Sequence, residues 1–205
     1  MSPFFVAPAC RRLCSLALVL FTCAHSAAED KRTDSDAAGY AARDTLKPLA
    51  DKSADADECL KHFAWKPISF EVTCEAPTKD DTFDELVRFP SPVDTGDARN
   101  DLVALEWFKP RDASGRVIRA PAVVVIHESG SAMPAGRAIA QGLRDRGLHT
   151  LLIHLPHYGA RRTAGKRPDA SKILETMRQG VADVRRARDA VYALPGIDPR
   201  HIALQ

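Results

Sequence analysis

The sequence predicts an α/β fold in which helices flank a mostly parallel sheet. Ala122–Ile126 is a run of five apolar residues without polar alternation, which is typical of a central parallel strand covered on both faces. From this run to Gln205 the patterns alternate as strand, helix, strand, helix and strand, and this order requires crossovers between parallel strands. A chain of 205 residues is long enough for one domain with a sizeable core.

The first 28 residues have the pattern of a secretory signal peptide. Arg11 and Arg12 precede a short apolar run, Leu13–Cys23, and residues 26–28 are small enough for cleavage. The run has about 11 residues whereas a membrane-spanning helix needs about 20, so no stable membrane anchor is expected. A lipoprotein is the alternative, because a leucine lies three positions before Cys23, as it does before a lipidated cysteine. We therefore expect an exported protein, either periplasmic or extracellular.

The charge balance limits the classes of partner. The chain has 29 Lys and Arg against 27 Asp and Glu, and Arg11 and Arg12 lie in the signal segment, which leaves 27 of each in the mature chain. A formally neutral protein argues against nucleic acid or an anionic membrane as its partner. The residues suggest no cofactor, and they do not reveal an oligomeric state.

Two cysteines remain after the signal segment. Cys10, Cys14 and Cys23 lie within it, whereas Cys59 and Cys74 follow it. An even pair in an exported protein predicts one disulfide, which would stabilise the fold by about 3 kcal/mol in the chain-entropy model. Two buried free thiols are the alternative.

Residues 29–66 form a polar, partly helical extension before the α/β domain, which covers residues 67–205. A helix is expected over Tyr40–Leu49 and a short one over residues 51–62. Three antiparallel strands should then open the sheet, and their patterns cover Ile68–Cys74, Phe83–Phe89 and Leu102–Phe108.

Capping residues and the spacing of apolar residues predict the two crossover helices. Pro134 opens a helix that extends to Arg146, and Gly147 suits a left-handed stop. Leu148–Leu155 reads as the next strand, and residues 201–205 begin another. A long helix over residues 170–194 carries apolar residues spaced by three and four, which predicts one buried stripe: Ile173, Met177, Val181, Val184, Ala187, Val191 and Leu194. Its arginines should form a solvated face: Arg178, Arg185, Arg186 and Arg188.

Candidate functional residues follow two of the predicted parallel strands. Residues 127–131 follow the strand that ends at Ile126, and Pro156, His157 and Tyr158 follow the next strand. Ligands of open α/β sheets bind beyond the carboxyl ends of the strands. Gly130 suits a backbone that approaches a ligand closely, and backbone N–H groups in such a turn can stabilise an oxyanion.

These residues resemble the α/β-hydrolase superfamily, most nearly its dienelactone-hydrolase and secreted esterase-like branches. The likeness rests on the His127-Glu128 turn, on a Pro-x-x-Gly-x-Arg loop that ends at Arg161, and on the Asp198-Pro199 approach to the last strand. It covers residues 117–205, and more weakly the chain from residue 83.

The resemblance implies roles for several residues. Ser129 matches the position that supplies one N–H of the oxyanion hole, and Glu128 matches the acidic residue after the histidine. We expect His127 to fix this loop by hydrogen bonds rather than to transfer protons. His157, Tyr158 and Arg161 are expected at the rim of the pocket, so the complete form would be a serine hydrolase of carboxylic esters with a small ester-like substrate.

The superfamily's nucleophile lies on a Gly-x-Ser-x-Gly elbow after the fifth strand, and its acid and histidine come later. No Gly-x-Ser-x-Gly occurs in the 205 residues. We therefore expect a domain truncated before the elbow, with no nucleophile, acid or base of its own and no activity alone.

Other interpretations remain open. Ser129 could itself be the nucleophile, although the bulky His127 two positions before it does not suit an elbow. His127, His154 and His157 could form a zinc site, but no carboxylate or cysteine lies at a recognised spacing. A non-catalytic exported binding module, or a fragment of a peptidase or lactone hydrolase, is the functional alternative.

Overall fold

The computed structural model describes residues 38–47, 51, 53–128, 130, 132–165 and 169–205. The predicted signal peptide, residues 1–28, lies outside the described residues. None of the described helices is long and apolar enough to cross a membrane.

The described part of the chain forms a seven-stranded mixed sheet with helices on both faces. Its strands are β1 (Ala38–Arg43), β2 (Ser69–Glu75), β3 (Glu85–Pro90), β4 (Leu102–Phe108), β5 (Ala120–Ile126), β6 (His149–Ile153) and β7 (Ile197–Leu204). Its helices are α1 (Ala54–Leu60), α2 (Pro134–Arg144) and α3 (Ile173–Tyr192), with single 3₁₀ turns at Lys61–Phe63, Gly159–Arg161 and Ala170–Lys172.

The strands lie in the order β1-β2-β3-β4-β6-β5-β7. Two pairs of described strands are parallel, β5 with β6 and β5 with β7, whereas the pairs from β1 to β4 and the β4–β6 pair are antiparallel. The α/β class is confirmed, but the prediction of a mostly parallel sheet is wrong, because the opening antiparallel strands contribute more of the pairings than the crossovers do.

Alternate residues of the central strands face the two helical layers. Val124 belongs to the larger core together with Ala187, Ala190 and Val191 of α3. Val125, its neighbour, belongs to a smaller core under α2. The two crossover helices therefore cover opposite faces of the sheet, as the continuous apolar pattern of β5 requires.

The helix expected over Tyr40–Leu49 is absent from its first half, where β1 pairs antiparallel with β2. Ala42 is buried and its neighbours Ala41 and Arg43 are exposed, which is the alternation of a strand. Pairing with β2 outweighs the helical propensity of the alanines. Thus the predicted N-terminal extension supplies an edge strand of the sheet.

The buried stripe expected on α3 is wrong in its first half. Ile173, Met177 and Val181 are 57%, 61% and 47% exposed, whereas the stripe is buried from Ala187 onwards. The first half of the helix instead turns polar and small residues inward, among them Gln179 and Asp183. Gln179 accepts a hydrogen bond from Asn100, and Asp183 accepts one from Ser91, so these polar residues occupy the inward face and the apolar residues remain outside.

Arg186 was expected on the solvated face of α3 and is instead buried. Its guanidinium donates two hydrogen bonds to the Asp44 carboxylate, at 2.9 and 2.7 Å, and lies over the ring of Phe70. This ion pair fixes the segment after β1 to α3, which explains why an arginine occupies an inward position.

The disulfide expected between Cys59 and Cys74 is absent, since both residues are free thiols. Cys59 is exposed on α1, whereas Cys74 points into the core from β2. Burial, followed by the charge of Glu85, raises the pKa of the Cys74 thiol to about 12. The inward direction of the Cys74 side chain separates it from an exposed partner.

Candidate functional site

Two loops leave the carboxyl ends of β5 and β6 towards opposite faces of the sheet. The loop after β5 leads to α2, and the loop after β6 leads to α3, which crosses over β5 to reach β7. Adjacent strands whose connections diverge in this way leave a crevice between their carboxyl ends. Of the residues expected to be functional, His127, Glu128 and Tyr158 lie in these two loops.

His127 ties the two loops together. Its Nε2 accepts a hydrogen bond from the Leu155 backbone N–H at 3.1 Å, so the neutral ring carries its proton on Nδ1, which donates to the Glu128 carbonyl. The ring also packs edge-on against Tyr158, with centroids 4.8 Å apart. Burial lowers the pKa of His127, which favours the neutral form. This geometry fits the loop-fixing role expected for His127.

Glu128 caps the N-terminus of α2. Its two carboxylate oxygens accept hydrogen bonds from the backbone N–H groups of Ala135 and Gly136, each at 3.0 Å. These hydrogen bonds lower the pKa of the Glu128 carboxyl, and the bond from Ala135 has the largest effect. Because Glu128 occupies both N–H groups, the start of α2 does not offer them to a substrate oxyanion.

The approach of α2 to this loop is close. A Cβ atom on Gly136 would lie 2.9 Å from the His127 Cβ and 2.8 Å from a Leu152 methyl, so only glycine fits there without a shift. Ser129 and Ser131 lie outside the described residues, and the oxyanion role of Ser129 stays a prediction. Gly130 is exposed and has a φ of 150°, within the range that favours glycine.

A buried charged network supports both loops from below. Glu106 of β4 accepts from Arg137 of α2 through two guanidinium nitrogens and from His154 Nε2 at 3.0 Å. Arg137 also donates to the Ala132 carbonyl in the first loop, and His154 Nδ1 accepts from the Ala160 N–H in the second loop. A continuous chain of hydrogen bonds therefore joins the two loops.

Glu106 is ionised in this network although it is 1% exposed. Burial alone would raise its pKa, but the hydrogen bonds from Arg137 and His154, together with the positive charge of Arg137, lower it to about 2. Neither Glu106 nor Arg137 was predicted from the sequence. One feature of the sequence could have indicated this network. Glu106 is the single carboxylate in the otherwise apolar strand Leu102–Phe108, and a buried carboxylate needs a partner.

Arg161, expected at the pocket rim, is completely buried. It donates to the Asn100 and His154 carbonyls, and its Nη1 lies 2.7 Å from Asp183 Oδ2 of α3. Burial lowers the pKa of Arg161 and raises that of Asp183, and their mutual attraction opposes both shifts. The rim assignment is wrong because the loop carbonyls and Asp183 draw the guanidinium inward.

The other two rim residues are partly exposed. His157 has a φ of 69°, and its backbone N–H donates to Asn100 Oδ1 at 2.9 Å. Asn100 is fully buried and also donates to Gln179 of α3 at 2.9 Å. Tyr158 lines a cavity beside the crevice. Sequence reasoning missed Asn100, which gives no motif signal within its polar loop.

That cavity, named here the apolar groove, has a volume of about 490 Å³ and lies between α3 and the carboxyl ends of β5 and β7. Its lining is almost wholly apolar: Ile126, Leu155, Pro156, Tyr158, Ile173, Thr176, Met177, Gly180, Val181, Val184, Arg185 and Leu204. An apolar pocket beside a few fixed polar groups is the usual form of a small-molecule site.

The histidines do not converge as a metal site in the described part of the chain. Both ring nitrogens of His127 and of His154 take part in hydrogen bonds within the protein. No cluster of three or more potential ligands occurs among the residues that the structure describes.

Comparison with protein-family models and with curated proteins found no match to this chain.

Proposed function

We propose that this chain carries the oxyanion-loop half of an exported α/β-hydrolase-type protein, which in its complete form is a serine hydrolase of carboxylic esters. The observation that carries the proposal is the crevice between β5 and β6. There His127 holds the loop after β5 against the loop after β6, through Leu155 and Tyr158. Both loops lie where a parallel α/β sheet binds its ligands.

The surroundings of the crevice support an ester substrate. The apolar groove, which Tyr158 lines, suits an acyl or alkyl portion of such a substrate. In the serine-hydrolase mechanism a serine attacks the carbonyl, a histidine takes its proton, and backbone N–H groups hold the oxyanion. His127 does not fit the proton-transfer role, because its two ring nitrogens already have partners.

The chain of 205 residues should therefore be inactive by itself. We expect no turnover of short p-nitrophenyl esters by purified residues 29–205. Serine-dependent turnover by this chain, lost on Ser129→Ala, would contradict the proposal and make Ser129 the nucleophile.

The coding DNA after codon 205 tests the complete form. The proposal requires a continuing frame with Gly-x-Ser-x-Gly directly after the β7 strand, followed by an acid and a histidine. A stop codon at that point, or a continuing frame without a serine elbow, would contradict it.

A non-catalytic binding module is the second candidate. It is favoured by one observation: the charged side chains that border the crevice, Glu128 and Glu106, are occupied in internal hydrogen bonds, whereas the open surface is the apolar groove. Such a module would use the groove and require no catalytic serine.

A further inference from the structure

His127 joins the two loops of the crevice directly. It follows β5, and its Nε2 accepts from the N–H of Leu155 in the loop after β6, at 3.1 Å. Its Nδ1 faces the Glu128 carbonyl of its own loop, and its ring lies edge-on against Tyr158. Because one partner is a carbonyl and the other is an N–H, one ring nitrogen must donate and the other must accept. The neutral tautomer with its proton on Nδ1 meets both requirements.

A proton on Nε2 would turn the bond to Leu155 into a repulsive contact. The charged ring has an N–H on both nitrogens, so Nε2 would point a donor at the Leu155 N–H, which is itself a donor. The donor on Nδ1 would keep its bond to the Glu128 carbonyl. Uptake of one proton therefore breaks the link to the loop after β6 and leaves the link within the loop after β5.

The charged groups near the ring are already engaged elsewhere. The charged and titratable side chains around it include Glu106 of β4 with its partner Arg137 of α2, Glu128 of its own loop, and His154 and Tyr158 after β6. Glu106 accepts from Arg137 and His154, and the Glu128 carboxylate accepts from two N–H groups at the start of α2. Burial lowers the pKa of His127 and His154 acts in the same direction, whereas Glu128 and Glu106 oppose them. A charged ring in the closed crevice is therefore poorly compensated.

We propose that His127 is a pH-sensitive latch of the crevice. The neutral ring holds the two loops together, and uptake of one proton releases the loop after β6 while the rest of the domain stays folded. The crevice is thus narrow at neutral pH and wider in mild acid. As a regulation of this crevice the latch rests on the proposed function. Its test measures local opening and not catalysis, so failure of the latch would leave the proposed hydrolase unaffected.

The pH range of the latch follows from its two states. In the open state His127 has its ordinary pKa of 6.5, whereas burial lowers its pKa in the closed state. The closed state is therefore fully favoured above pH 6.5 and loses this advantage as the pH falls through 6.5 towards the lowered pKa. Within that range the ratio of open to closed molecules should rise by up to about tenfold per pH unit.

The first test is amide hydrogen exchange of the purified chain, followed by NMR from neutral pH into mild acid. The Leu155 N–H is held by His127, whereas the neighbouring His154 N–H donates to the Ala104 carbonyl of β4 at 2.9 Å and is the internal control. After correction for intrinsic exchange, protection of Leu155 should fall by up to about tenfold per pH unit below the ordinary pKa and stay below that of His154. Equal protection of the two amides at every pH would show that only unfolding releases the loop, and would overturn the latch.

Two glutamine variants identify the group that titrates. His127→Gln does not titrate, but its side-chain carbonyl can accept from Leu155 and its amide can donate to Glu128, so protection of Leu155 should change by less than about twofold over the same pH range. His149→Gln is the matched control. His149 is a buried ring that accepts from Trp107 at 3.2 Å, at the other end of β6, so the response of Leu155 should be that of the wild type. A response that disappears in His149→Gln would overturn the assignment to His127.

A direct measurement on the wild type requires no substitution. The nitrogen chemical shifts of the His127 ring report its protonation, and a nuclear Overhauser effect between the rings of His127 and Tyr158, whose centroids lie 4.8 Å apart, reports the closed crevice. This effect should disappear along the same titration curve while the His154 N–H remains protected. A ring that is protonated with the contact to Tyr158 intact, or that is protonated only as the chain unfolds, would overturn the latch.

Discussion

At the residue scale, two of the three histidines that the sequence grouped as a possible metal site connect separate segments through hydrogen bonds of their rings. His127 joins the loops after β5 and β6, and His154 joins Glu106 to Ala160. A third buried ring, His149, accepts from Trp107 Nε1 at 3.2 Å and reaches the Ile118 carbonyl through Nε2. Each of these uses one nitrogen as an acceptor, which protonation would remove.

The stability of the fold should therefore fall in mild acid. Burial is the main cause of the lowered pKa of His127 and of His149, so below the ordinary pKa of 6.5 the unfolded chain binds protons more readily than the folded one. The free energy of unfolding should be steady at pH 7–8 and should decline as the pH falls through about 6.5 towards the lowered values. Urea titrations across this range would measure it, and an increase in stability between pH 7 and 5.5 would contradict it.

Glu106 is the residue whose loss should be most damaging. Glu106→Gln removes the charge that Arg137 faces and disturbs the bond to His154. Because the Arg137 side chain is 37% exposed, we expect the free energy of unfolding to fall by about 1.5–3 kcal/mol, the range for hydrogen bonds to a charged group. Arg116→Gln is the control, because the Arg116 side chain is 81% exposed beside Asp112, so the change should cost less than about 1 kcal/mol. If chemical denaturation showed a similar decrease in the free energy of unfolding for both variants, the buried network would not be important for stability.

The sequence identified some of these residues and missed others. His127 and Glu128 stood out because they follow a strongly apolar strand. Arg161 was recognised but misplaced, since nothing in its neighbourhood shows that Asp183, 22 positions later in the sequence, turns towards it. Partners distant in sequence decide whether a charged side chain is buried, and one sequence does not supply them.

At the element scale, strands and helices with strong local patterns were predicted well. β4 was predicted with the bounds that it has, Leu102–Phe108, and Pro134 begins α2 as expected. β1 was missed because its alternation involves alanines and a glycine, whose small side chains give a weak signal. The inward face of α3 was misassigned because buried ion pairs, rather than apolar residues, occupy part of it.

The loop after β6 owes its shape to a close contact at Gly159. This glycine has a φ of 50°, and a Cβ on it would lie 2.5 Å from His154 Nδ1. Gly159→Ala should therefore cost more than about 2 kcal/mol and displace His154, because left-handed strain adds to a clash.

Gly165→Ala is the matched control for this substitution. Gly165 has a φ of 77°, but a Cβ there would meet no atom within 4 Å, so only the backbone strain of about 1–2 kcal/mol applies. Equal destabilisation of the two variants in thermal or chemical unfolding would show that the contact with His154 is unimportant.

At the scale of the whole molecule, the sheet order and the opposite placement of α2 and α3 create the crevice. The alternation of strands and helices after residue 120 was sufficient to predict parallel crossovers, which the pairing of β5 with β6 and β7 confirms. The order in which β6 lies between β4 and β5 comes from pairing across distant segments. For that reason the sequence could suggest two candidate loops but could not show that they meet.

The most direct test of the proposed serine hydrolase is labelling of the exported fraction of the source cells with a fluorophosphonate, followed by peptide mapping. We expect a labelled protein that contains these residues and carries the label on a serine of a Gly-x-Ser-x-Gly segment outside the 205 residues. A label on Ser129, or no label on any form that contains this chain, would contradict it.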